Sequence, residues 1–130
     1  MQTSLIGCSL VTFTVLFWAV HGAAITPARA AGAEYIGTWG NDAAHCAIPQ
    51  DQDQEGAPYV IAPGGYDQHE AHCTFKKITP KGGAWMIAAE CSVEGDVQPQ
   101  DFTLSVSGSA SGGKLTWTDA TGTSTMIRCK

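Results

Sequence analysis

The densest group of side chains able to do chemistry is Tyr66-Asp67-Gln68-His69-Glu70-Ala71-His72-Cys73. Together with His45, which stands beside Cys46, it offers three imidazoles and two carboxylates, donor types that zinc and copper accept. The spacing works against a metal. His69 and His72 would share a face on a helix but point to opposite faces of a strand, and Pro63-Gly64-Gly65 ahead of them marks a loop feeding a strand. His45, His69 and His72 are therefore weak metal candidates. The plainer reading is of exposed histidines flanking a disulfide, and no cofactor is expected.

Other chemical motifs fail on one position each. Asp51-Gln52-Asp53-Gln54-Glu55-Gly56 opens like a calcium loop, but its twelfth position is Ala62, where a bidentate Glu belongs. Gly108-Ser109-Ala110-Ser111-Gly112 has Ala110 where a nucleophile elbow needs Ser, and reads as a hairpin turn. Asp96 with Asp101, or Glu90 with Glu94, could converge as a general acid and base, yet acids are common on any acidic surface. Cysteine catalysis needs a free thiolate. No catalytic residue is assigned, and the chain is not expected to be an enzyme; a minor hydrolase is the alternative.

The whole chain of 130 residues makes one small domain, and seven Lys and Arg against twelve Asp and Glu give a formal charge of -5. That balance excludes an electrostatic grip on nucleic acid or anionic lipid. Leu5 to Val20 form an uncharged apolar run that ends in small residues and an A-x-A signal at Ala28-Arg29-Ala30. The run is shorter than the roughly 20 residues a spanning helix needs. Residues 1–30 are thus expected to be a secretory signal peptide cleaved after Ala30, with an uncleaved anchor as the alternative because the first residues carry no Lys or Arg. Residues 31–130 then form a single domain, periplasmic or secreted, with no membrane span.

Cys8 leaves with the signal, so Cys46, Cys73, Cys91 and Cys129 remain, an even set in an oxidising compartment. Period-two alternation over 85–93, 102–107 and 115–118 predicts strands, with further candidates at 34–39, 58–62, 73–79 and 124–129. Turn signals fall between them at even spacing. The fold class is all-β: an antiparallel meander of about seven strands, closed as a small barrel or packed as a sandwich, with two disulfides. One short helix is expected over Ala43 to Ala47, capped by Asn41 or Asp42 and stopped before Pro49. A hairpin centred near Gly82 sets Cys73 and Cys91 equidistant from its turn, directly opposed and close enough to bridge. Cys46 would then pair with Cys129.

Gly37-Thr38-Trp39 on the first strand and Arg128 on the last resemble the G-x-W and C-terminal Arg of calycin-type barrels. The resemblance implies that Gly37, Trp39 and Arg128 close one end of the barrel. Across most of residues 31–130 the chain also resembles small exported proteins of Gram-negative, especially alphaproteobacterial, origin with a G-x-W and four Cys. The matching positions are Gly37-Thr38-Trp39, Cys46, Glu70 to Cys73, Trp85, Cys91 to Gly95, Leu115 to Trp117 and Arg128-Cys129. That group brings no established activity. Trp39, Trp85 and Trp117 stand at inward positions and are expected in the core. Tyr59, Tyr66, His69 and His72 are the candidate ligand or partner contacts. The expected function is an exported binding module, inhibiting or docking onto an extracytoplasmic protein through Gln50 to Gly65 or Val97 to Asp101; the alternative is a carrier of a small ligand or metal.

Overall fold

A computed structural model describes residues 34–52, 54–109 and 112–130; the signal-peptide expectation lies outside them. The chain forms β1 (Gly37–Gly40), α1 (Ala43–Cys46), β2 (Tyr59–Ala62), β3 (Gly65–Gln68), β4 (Ala71–Lys81), β5 (Ala84–Val93), β6 (Asp96–Ser107), β7 (Lys114–Asp119) and β8 (Gly122–Arg128). The eight strands pair antiparallel in sequence order, and β8 returns to β1 to close a barrel. The count is therefore eight, not about seven, and the sandwich is excluded. The additional strand is β3, which carries the polar residues Asp67 and Gln68; with β4 it makes a hairpin whose two-residue turn is His69-Glu70. No described helix is long and apolar enough to cross a membrane.

Closure follows from the alternation. Inward residues of every strand meet in one core: Trp39, Ile61, Tyr66, Cys73, Trp85, Ile87, Ala89, Cys91, Phe102, Leu104, Leu115, Trp117 and Met126, joined by Tyr35. Three tryptophans among them, with Trp39 fully buried, fill a barrel of this size with side chains and leave the burial of apolar area as its main stabilisation.

The β4–β5 hairpin shows how the cysteines meet. Its turn is the pair Gly82-Gly83, so Lys81 faces Ala84 and Lys77 faces Ala88. Continued unchanged, that register would set Cys73 against Ser92. A bulge between Phe75 and Lys77 absorbs one residue, after which Phe75 faces Ala89 and Cys73 faces Cys91. The two are bridged with Cα atoms 4.0 Å apart. Cys46 is bridged to Cys129, across a Cα separation of 5.3 Å and 83 residues of chain. That bond ties α1 to the end of β8. The helix is a single turn whose N-cap is Asp42, the Oδ1 of which accepts from the His45 amide (2.9 Å).

In an antiparallel meander the strand ends alternate between two rims. The first rim holds the start of β1, the end of β8 and the turns after β2, β4 and β6. The second holds the start of β2 and the turns His69-Glu70, Glu94-Gly95 and Ala120-Thr121. β6 begins at Asp96, well before the stretch that alternation alone marks, so Val97 to Asp101 are strand and not loop. β5 pairs along this part, whereas β7 joins β6 only from Thr103 onward, leaving one edge of Asp96 to Phe102 without a described partner.

Candidate functional site

At the first rim the structure brings Gly37, Trp39 and Arg128 together. β1 pairs Trp39 with Arg128 of β8, and the Arg128 guanidinium lies over the Trp39 ring, 4.1 Å from its centroid. Arg128 Nη1 donates to Ile36 O (3.0 Å) and Nη2 to Glu34 O (2.6 Å), while Trp39 Nε1 donates to Tyr35 O (2.8 Å). The planar fork thus sews the chain entering β1 to the strand leaving the barrel. Gly37 is required beneath it: with φ at 144°, a Cβ there would stand 2.4 Å from Arg128 Nη1. The ring of Tyr35 packs edge-on to Trp85 at 5.0 Å and seals the floor. The side chains of this rim pack on one another.

The inner wall toward the second rim is aromatic. Trp117 stacks on Phe102 (4.2 Å), meets Tyr66 edge-on (5.1 Å) and touches Tyr59 (5.5 Å). Trp117 Nε1 donates to Asp119 Oδ2 (3.1 Å), and Asp119 Oδ1 accepts from the Thr121 amide and hydroxyl (2.7 and 2.6 Å). These bonds, those from Thr121 first, hold the Asp119 carboxyl below the usual carboxylate range. Burial pushes the Tyr66 phenol up to about 12, and burial followed by the charge of Asp119 raises Tyr59. Both phenols are therefore neutral at physiological pH.

Outside this wall the second rim carries a polar groove of about 700 Å³ lined by Gln50, His69, Glu70, His72, Ser92, Glu94 and Gly95. It brings together three chain segments: the approach to β2, the β3–β4 turn and the β5–β6 turn. His69 and Glu94 each take a positive φ, 47° and 50°, to make their turns. His72 faces Asp67 across β3–β4, and its Nδ1 donates to Asp67 Oδ1 (2.7 Å). The approach segment is pinned by Gln50 Nε2 donating to Pro58 O and Gln68 Nε2 donating to Ala57 O (3.2 Å). Val97, directly opposite Ser92, stands 66% exposed beside the groove and is the more exposed of the two large apolar side chains that the described residues present to solvent.

The sequence candidates divide accordingly. Tyr59 and Tyr66 come together inside the barrel, with tilted rings 5.7 Å apart, while His69 and His72 come together outside it. His45 is elsewhere, on α1, with its Nδ1 donating to Asp42 Oδ1 (2.7 Å). No group of three or more metal-ligating side chains forms among the described residues. Nor do the carboxylate pairs close up through the sheet: Asp101 faces Ala88, Asp96 faces Val93, and Glu90 lies 3.3 Å from Lys76 Nζ. Asp119 carried a signal that turn propensity masked, the spacing Trp117-x-Asp119-x-Thr121, which lets one carboxylate serve an indole on one side and the next turn on the other. No protein-family model, curated protein or solved structure matches this chain.

Proposed function

We propose that the protein is an exported binding module that inhibits or docks onto an extracytoplasmic protein through its second rim. The observation that carries this reading is the convergence there of Gln50, His69-Glu70 and Glu94-Gly95 around one groove, with Val97 exposed at its margin. An apolar side chain bordered by polar groups on a rigid frame is the form a protein-docking surface takes. The barrel core is filled by its own side chains, so a partner is offered the rim and not an internal cavity. Two disulfides support an oxidising compartment. The stacking of Arg128 on Trp39 supports a kinship with calycin-type barrels.

The test uses the purified chain as bait against periplasmic and secreted extracts and against a panel of proteases and lysozymes. A captured or inhibited protein should lose at least about tenfold in affinity with Val97→Asp or Glu94→Lys, as truncation or reversal of a docking anchor predicts. It should be indifferent to Lys81→Glu, which lies at the opposite rim. Capture of nothing, or equal sensitivity at both rims, would overturn the reading.

A further inference from the structure

The two disulfides occupy opposite environments. Cys73 and Cys91 are core residues, 6% and 0% exposed, and their bond cannot be reached without opening the barrel. Cys46 and Cys129 are both partly exposed on the outer surface. Their bond fastens the segment after β1 to the end of β8. From Asn41 to Gly56 no described residue is buried, and Ala57 and Pro58 are the first to enter the interior. α1 is four residues long, far below the length at which a helix persists by itself. Among the described residues, the Asp42 cap holds α1 together from within, and Gln50 and Gln68 donate to the backbone at Pro58 and Ala57. Gln50, which lines the polar groove, belongs to this segment.

We propose that Cys46–Cys129 is a thiol-sensitive clip that controls the docking rim, opening without unfolding of the barrel. This inference rests on the docking reading of that rim. A dithiol reductant supplies the chemistry. Its thiolate attacks one sulfur of the clip, forming a mixed disulfide and expelling the other cysteine as thiolate. The second thiol of the reductant then closes its own disulfide and releases the remaining cysteine. Two electrons pass to the protein, and Cys46 and Cys129 take up two protons as thiols at neutral pH. Chain 41–56 is then free to move, taking Gln50 out of the groove, while Ala57 and Pro58 stay buried and β1 stays paired with β8 through Trp39–Arg128 and Gly40–Ile127.

The experiment titrates the oxidised protein with dithiothreitol, quenches by alkylation and maps the labelled cysteines by mass. An Asp/Glu-directed protease probes the segment, which has cleavage sites at Asp42, Asp51, Asp53 and Glu55 and no Lys or Arg. Cys46 and Cys129 are expected to be labelled at least about tenfold faster than Cys73 and Cys91, since exposed bonds exchange without global unfolding. Cleavage within 41–58 should appear in step with that labelling while the near-ultraviolet dichroism of the buried tryptophans persists. A Cys46→Ser/Cys129→Ser variant should show the same cleavage without reductant. Labelling of both pairs in one step, or a reduced clip whose segment stays as protease-resistant as before, would overturn the proposal. These readouts need no partner, so they fail independently of docking; with a partner found, its capture should fall on reduction and return on reoxidation.

Discussion

Arg128 does three things with one planar group: it covers an indole and binds two backbone carbonyls from chain more than ninety residues away in sequence. Lys could supply the charge but not the fork, so Arg128→Lys should recover little of the stability lost in Arg128→Ala. The alanine variant leaves the Glu34 and Ile36 carbonyls short of donors, and a loss of about 1–3 kcal/mol in denaturant unfolding is expected. Gly37→Ala attacks the same contact from below and should lower the midpoint by a comparable amount. Tyr66 reports on the other half of the core. Its phenol is held neutral to about 12 when folded, against about 10 when unfolded, so its contribution to stability is complete below pH 10 and disappears as pH rises from 10 toward 12. Absorbance at 295 nm should show Tyr66 ionising last, and Tyr66→Phe should flatten the alkaline fall in stability. An ordinary titration near 10 would contradict the packing described.

Elements differed in how openly the sequence declared them. β5, β7 and the inner half of β6 alternate cleanly because one face meets the core and the other meets water. β3 does not. Gly65 and Asp67 carry turn-forming character, yet Gly65 opens the strand because a Cβ there would lie 2.0 Å from the Cys73 carbonyl oxygen; it is chosen for closeness, not for turning. The first half of β6 was hidden for a different reason: both its faces are wet, so no period can show. The cysteine pairing was legible although the local register was not, since the bulge at Lys76 offsets the displacement of the turn. Of the rim, the tyrosines and histidines were visible as residue types, but the meeting of Gln50 with Glu94 depends on pairings no local pattern encodes. The edge of β6 that has no described partner also explains Pro99. The narrow 4.0 Å Cys73–Cys91 pair turns the amide of Cys91 toward Gln98, so the alternate position, Pro99, directs its nitrogen to the unpaired edge. A missing donor there guards against edge-to-edge association. Pro99→Thr should restore it, and sedimentation at rising concentration should reveal self-association absent from the parent chain.

At the scale of the molecule, most stabilisation is shared among hairpins between neighbours in sequence, and the two covalent bonds are unequal partners in it. Cys73–Cys91 spans 18 residues within one hairpin, whereas Cys46–Cys129 spans 83 and encloses nearly the whole barrel. Replacing Cys73 and Cys91 by Ala removes a core bond and should destabilise the fold by about 2–4 kcal/mol, measured by thermal or denaturant unfolding with the other bridge intact. A loss near zero would mean that the surrounding aromatic packing suffices alone.

The seam between β1 and β8 has a consequence for how the protein comes into being. Every other ladder joins successive strands and can form as soon as a hairpin's worth of chain is present, but Trp39–Arg128 and Gly40–Ile127 unite the two extremities of the described chain. Such distant contacts form slowly, because the entropy of a long loop is lost before any contact repays it. The sheet should therefore curl as an open ribbon with a preformed Cys73–Cys91 bond, and only the arrival of the final residues lets it snap into a ring. Oxidative refolding quenched with acid at successive times should reveal the short bridge before the long one. A nascent chain that has not yet reached Arg128 and Cys129 lacks both the strand partner of Trp39 and the long bridge, so it should close more slowly, and positions 128 and 129 act as the checkpoint for maturation.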